Sequence, residues 1–185
     1  MDGDSSWSSL TFAVALASFV IPLALIFVSI WFSPRFSWES NALSDLGHPV
    51  RSPVAPIFNF GLVVGGTFML FLSPRMFRLY RLTASLVLLA GYSLILVAVF
   101  NEAYGKLHFA VSALFFVALI LAGFAYSREG GKVYPAVLAT LITASWACKF
   151  SGLCRFGVAV PEIASIILSI PWYLDAALRV SGKPD

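Results

Sequence analysis

Six stretches of this chain stay apolar for about twenty residues each, and that pattern restricts the fold more than anything else in the sequence. A hydrocarbon slab of about 30 Å is spanned by roughly 20 residues of helix, each rising about 1.5 Å. The stretches 9–32, 54–73, 82–101, 107–127, 133–150 and 156–178 all come near that length. In lipid every backbone N–H and C=O must find its partner within the segment, so such spans fold as helices. The expectation is an all-α, polytopic membrane helix bundle of about six transmembrane helices, with a short interfacial helix between the first two. Composition agrees: 59% of the 185 residues are hydrophobic and 11% charged, whereas a water-soluble domain carries about a quarter charged residues. No connection between the apolar stretches is long enough to fold alone, so residues 1–185 are expected to form a single integral membrane domain.

The 12 Lys and Arg against 9 Asp and Glu are scattered among apolar segments. A nucleic-acid surface gathers its basic residues on one face, so no nucleic acid is expected as a partner. Membrane lipids are. The first tail carries Asp2 and Asp4 in place of Lys or Arg, and the apolar run behind it is longer than a signal peptide's. That run is expected to remain as a span. The connection 74–81 holds Arg75, Arg78 and Arg81 without an acid, and short loops of this kind stay on the cytoplasmic side. Arg128, Lys132, Arg179 and Lys183 then also lie inside, seven basic residues against five outside. An even helix count puts both termini in the cytoplasm of a multi-pass protein of the cell membrane.

The longest outward connection, 33–53, has its own pattern. Trp38, Ala42, Leu43 and Leu46 recur at helical spacing, and Gly47 followed by Pro49 is a stop. Gly47 is expected to adopt positive φ there. The other face of this short helix carries Asn41, Ser44 and Asp45, with His48 just beyond it. Such an element is either a lid over a site or an anchor on the membrane surface. Small residues in Gly61-Leu-Val-Val-Gly65-Gly66 suit close approach of helices in lipid. Pro22, Pro56, Pro135 and Pro171 are assigned to bends or first turns, without a chemical role.

In this topology both histidines and four of the nine acids fall at the outward end. Asp45 and His48 come from the first connection, Asn59 from early in the second helix, Glu102 and His108 from the third connection, and Lys149, Arg155 and Glu162 from the last. Glu162 and Asp175 are thirteen positions apart, about 20 Å of helix, so at least one approaches hydrocarbon depth. An intramembrane carboxylate is costly unless paired, protonated or facing a wet cavity. Asp175 reads as one half of an i,i+4 ion pair with Arg179. Glu162 has three readings: a first-turn carboxylate behind Pro161, a partner of Lys149 or Arg155, or a group that faces substrate. The catalytic candidates are thus Asp45, His48, His108 and Glu162, with Asp45 orienting His108 for acid–base work. Ser44, Asn59, Glu102, Lys149 and Arg155 are the binding candidates.

No H-E-x-x-H pair or cysteine cluster exists, so no cofactor is expected and a metal held by His48 and His108 is the lesser alternative. A histidine hydrogen-bonded at a helix end is the simpler reading of each ring. Cys148 and Cys154 flank five residues on the outward side. They form either a small structural disulfide or two free thiols, since their spacing matches no redox or zinc motif.

Leu43-Ser44-Asp45-Leu46-Gly47, then Phe58-Asn59-Phe60-Gly61, then His108-Phe109 opening a helix, resemble the motifs of the domain of unknown function 998 family. That family is distantly similar to the Frag, DRAM and Sfk membrane proteins. The resemblance covers most of the six helices and implies a six-helix bundle, but it brings no established activity. Some looser relatives are linked to lipid remodelling or distribution, and an amphiphilic ligand follows by analogy. The functional expectation is therefore a membrane protein that binds or modifies a lipid or other amphiphile at an outward polar pocket. A non-catalytic accessory or scaffold subunit is the first alternative and a small-solute transporter or channel the second. Oligomeric state is left open.

Overall fold

A computed structural model of the chain describes residues 2–182, with side chains from residue 9 onward. Six helices follow in order: α1 (Asp2–Trp31), α2 (Ala55–Met76), α3 (Arg81–Val99), α4 (Lys106–Gly130), α5 (Tyr134–Phe150) and α6 (Ala159–Ser181). Short 3-10 turns stand at Leu43–Gly47 and Glu102–Tyr104, and no strand occurs among the described residues. Five helices are long and apolar enough to cross a membrane. The sixth, α5, has 17 residues and so reaches only about 26 Å. It nevertheless runs alongside α6 between the same two ends, since Tyr134 donates to Asp175 (3.1 Å) at one end and the Trp146 indole donates to Ser165 (3.0 Å) nearer the other.

Several helices outrun their expected bounds. The second was expected to stop at residue 73, yet α2 continues through Pro74 to Met76 and takes Arg75 with it. Proline removes the N–H that would bond the carbonyl four residues earlier. That carbonyl, on Leu70, instead accepts the Ser73 hydroxyl (3.1 Å), so the turn survives. Pro56 and Pro135 occupy first turns, while Pro22 and Pro171 lie within helices.

Packing uses small residues, because lipid tails are as apolar as any side chain and helices gain by close contact instead. The helices neighbour one another in chain order from α1 to α4; α6 closes the ring between α4 and α1, and α5 lies against α4 and α6. Ala84, Ala90, Ala122, Ala139, Ala176 and Ala177 are fully enclosed, while Phe60, Phe71 and Phe27 face outward. Between α1 and α2, a Cβ on Gly65 would fall 2.9 Å from Pro22 Cγ and 3.1 Å from the Ser18 carbonyl. Between α2 and α3 the backbones nearly touch: a Cβ on Gly66 would lie 2.5 Å from the Gly91 carbonyl oxygen.

The end of the bundle that carries the α2–α3 and α4–α5 connections is clasped by acids. Asp175 accepts from the Tyr126 hydroxyl (2.6 Å), Lys132 Nζ (2.6 Å) and the Tyr134 hydroxyl. The expected partner, Arg179, is present but more distant, at 3.6 Å. Glu129, at the end of α4, accepts from the backbone N–H groups of Leu82 and Thr83 (2.9 Å each) and from the Thr83 hydroxyl (2.7 Å). It thereby caps α3 from a neighbouring helix.

The α2–α3 contact carries a prediction. Gly66→Ala must push the backbones apart, an overpacking cost on the order of 1–3 kcal/mol, and should lower the melting temperature in detergent. Phe60→Leu, at a lipid-facing position, should not; an unaltered Gly66→Ala melting curve would contradict the packing described.

Candidate functional site

Every non-helical segment that joins α1 to α2, α3 to α4 and α5 to α6 collects at one end of the bundle. Non-helical backbone there needs partners, because the helices beneath have none to spare. The segment after α1 finds them across the top of α6. Trp38 O accepts from Gly157 N (2.8 Å) and Asn41 O from Ala159 N (2.9 Å). Gly157 has to be glycine for this, since a Cβ would meet the Asn41 and Trp38 carbonyl oxygens at 2.5 and 2.9 Å. The Leu43 N–H then donates to Glu162 Oε2 at 2.5 Å. Asp45 Oδ2 accepts from the Asn41 side chain (2.5 Å) and from Ala42 N (3.1 Å), which fastens the start of the turn.

The expected interfacial helix is accordingly a five-residue 3-10 turn, Leu43–Gly47. Leu43 and Leu46, each 3% exposed, point into the bundle where a surface anchor would point them into lipid. The helical spacing starting at Trp38 breaks because Asn41 Oδ1 accepts from Ser37 N (2.9 Å) and holds residues 37–41 as a separate turn. Gly47 does not adopt positive φ; among the described residues only Gly105, Gly131 and Gly152 do. Its requirement is steric, because a Cβ would lie 2.6 Å from Asn59 Oδ1 and 2.9 Å from the Phe58 ring. Asn59 in turn donates to the Gly47 carbonyl (3.0 Å).

The two histidines serve separate loops. His48 Nδ1 accepts from the N–H groups of Val50 (3.2 Å) and Arg51 (3.3 Å), so its lone pair sits on Nδ1. His108 Nδ1 lies 2.8 Å from the Phe100 carbonyl, which can only accept, so this ring carries its proton on Nδ1. Its Nε2 is 3.4 Å from the Ser112 hydroxyl. The expected Asp45–His108 pair is therefore absent: Asp45 is engaged within its own turn and His108 ties α4 to the end of α3. Nor does Glu162 pair with Lys149 or Arg155. Lys149 Nζ donates to the Phe156 carbonyl (2.6 Å), and exposed Arg155 enters no ion pair among the described residues. Cys148 and Cys154 form a disulfide with Cα atoms 5.4 Å apart. Ser44, Ser112 and Glu162 border a small cavity of about 40 Å³ beneath the turn. No three of His, Cys, Asp and Glu among the described residues are grouped as metal ligands would be.

Beside the turn lies a cleft of about 500 Å³, between the end of α1, residues 33–53 and the Glu102–Tyr104 turn. Its walls combine Phe32, Phe36 and Leu46 with Asp45, Glu102, Arg35 and Arg51. Burial pushes the Glu102 carboxyl above its ordinary range, and the adjacent Asp45 carboxylate raises it further; His48 and Arg51 pull it down less strongly. Neither Arg35 nor Arg51 has a side-chain hydrogen bond or ion pair among the described residues. Of the catalytic and binding candidates drawn from sequence, Asp45 and Glu102 line this cleft, along with Asn41 and Leu46 of the same short segment. Arg35 and Arg51 were read there merely as charges on an outward loop. The available signal was that both belong to the same connection as Asp45, whose ends α1 and α2 hold close together.

Stacked small-residue helix contacts, five long apolar spans and an enclosed polar cap define a multi-pass membrane protein. The chain belongs to the family described as Protein of unknown function (DUF998), whose model matches residues 13–179. That range takes in the capping turn, the cleft and most of every helix. No curated protein and no solved structure matches the chain, and the looser likeness to the Frag, DRAM and Sfk proteins finds no support among the comparisons.

The cap generates its own test. Glu162→Leu leaves the buried Leu43 N–H without an acceptor, a loss of about 1–3 kcal/mol, whereas Glu162→Gln keeps an amide oxygen in place. Hydrogen exchange in peptides covering residues 38–48 should accelerate about tenfold or more in the leucine variant, by the usual 1.4 kcal/mol per decade, and little in the glutamine variant. Equal rates in both would show that the carboxylate does not hold the turn.

Proposed function

We propose that this protein binds the charged headgroup of a membrane amphiphile in the outward cleft. One observation carries the reading: two unpaired guanidinium groups, Arg35 and Arg51, share a cleft of about 500 Å³ with the aromatic rings of Phe32 and Phe36. Phe32 directly follows the end of α1, where a chain leaving the bilayer would meet it. Arginine recognises phosphate through a planar fork of donors and does so best where water is partly excluded. The volume lies within the usual span of ligand pockets, about 300–1,000 Å³. Whether a reaction follows binding has no support either way in this arrangement.

The test is retention of lipid by protein in nanodiscs, followed by native mass spectrometry. Lipids with a phosphate-containing headgroup should be retained over diacylglycerol of the same chains, and Arg35→Ala/Arg51→Ala should lower that retention about tenfold or more, as loss of two charge-assisted contacts implies. Because both side chains are exposed and unpartnered, the melting temperature should hold. Equal retention by the variant, or none by the native protein, would sink the proposal. It would favour the scaffold reading, which draws on a specific observation of its own: Asp45, His48, Asn59, Lys149 and Glu162 all use their hydrogen bonds to fasten loops.

In this reading the capped end faces away from the cytoplasm. The disulfide stands at that end and suits an oxidising compartment, while Arg75, Arg78, Arg81, Arg128 and Lys132 mark the opposite end. Cys148 and Cys154 are the only cysteines, so labelling is unambiguous. After reduction, intact cells should take up a membrane-impermeant maleimide on this protein. Labelling confined to permeabilised cells would reverse the orientation.

A further inference from the structure

The cleft carries both signs of charge, and this bears on what kind of headgroup fits it. Arg35 and Arg51 line it together with Asp45 and Glu102. The carboxyl of Glu102 lies beside that of Asp45. Two carboxylates side by side repel unless a proton or a cation stands between them. An anion alone would satisfy the guanidinium groups but meet this acid pair; a cation alone would satisfy the acids but meet two arginines. Asp45 Oδ2 is already occupied by Asn41 and Ala42, and the Glu102 carboxyl hydrogen-bonds that of Asp45, so the pair shares a proton that the donors of an ammonium would replace.

We propose that the cleft takes a zwitterionic headgroup: a phosphate ester whose phosphate lies on Arg35 and Arg51 and whose primary ammonium lies between Asp45 and Glu102. The proposal rests on the reading of the cleft as a headgroup site and adds the chemical class of its occupant. A primary ammonium presents three donors, enough to replace the proton that Asp45 and Glu102 share and to bridge both carboxyl groups. A quaternary ammonium presents none and is held by aromatic faces instead. Phe32 and Phe36 lie on the cleft wall that α1 brings up from the bilayer, so they suit the glycerol and upper acyl carbons. The same headgroup chemistry can arrive on a lipid or as free phosphoethanolamine.

The experiment compares retention in nanodiscs of phosphatidylethanolamine, phosphatidylcholine and phosphatidylglycerol with identical acyl chains, with soluble phosphoethanolamine as competitor. The ethanolamine lipid should be retained at least fivefold over the other two, about 1 kcal/mol by the usual conversion. Glu102→Gln should erase that preference, and Arg35→Ala/Arg51→Ala should reduce retention of all three lipids. Competition by millimolar phosphoethanolamine would assign the site to the free headgroup; competition only by lipid would assign it to the membrane form. Equal retention of the ethanolamine and glycerol lipids, both lost with the two arginines, would overturn the zwitterion proposal and leave the headgroup reading standing. A preference that survives Glu102→Gln would overturn it as well. Retention of no lipid at all would overturn both.

Discussion

The hydrogen bond from the Leu43 N–H to Glu162 Oε2, beside two backbone bonds from Gly157 and Ala159, fastens the first connection across the last helix. Leu43 begins a turn in the first connection; Glu162 stands in the first turn of the last helix. The turn drives Leu43 and Leu46 into the top of the bundle, and the apolar burial that results requires its backbone donors to be satisfied without water. A carboxylate at the start of α6 supplies the acceptor and gains from the helix's own N-terminal dipole. The bond therefore resolves two costs at once: an unpaired peptide group in the cap and a carboxylate near hydrocarbon depth.

Once residues 38–47 are held across α6, the position of the cleft follows. The same segment turns back through His48, whose ring accepts the N–H groups of Val50 and Arg51, and so returns Arg51 to the cleft that Arg35 also lines. The Glu102–Tyr104 turn is placed independently, by the Asn101 side chain accepting from Ala103 N (3.2 Å) and by His108 binding Phe100. Glu102 thus arrives beside Asp45 from a different loop. Most groups that fasten the loops are distinct from those that face the cleft, and Asn41 and Asp45 belong to both.

The helices were legible in the sequence because the requirement that creates them is local. A lipid-embedded backbone must bond to itself within four residues, and length and hydropathy report that directly. The small residues at Gly61, Gly65 and Gly66 were legible for the same reason. The cap was not. Glu162 and Leu43 are 119 positions apart, and nothing about either residue alone names the other. The helical spacing from Trp38 to Leu46 was real, but Asn41 and Asp45 capped backbone groups inside it and divided it into two turns. Short polar side chains compete with helix in this way, and a stretch of ten residues has too few helical bonds to resist.

The polar residues chosen from sequence also have hydrogen-bond partners in the loops that sequence alone does not show. An acid or histidine in a membrane chain is by default a functional candidate, and that rule selected Asp45, His48, His108 and Glu162. It treats water as the only alternative to function. Here a third solution operates: loops at the end of a bundle carry many unpaired peptide groups, and buried side chains satisfy them. Among the described residues that line the cleft, Arg35 and Arg51 keep their guanidinium groups free of ion pairs, and hydropathy marks both as ordinary loop charges. For membrane chains of this architecture, a polar residue near a helix end is thus better judged by the backbone groups within its reach than by its depth, and an unpaired arginine facing a cleft becomes the more informative sign.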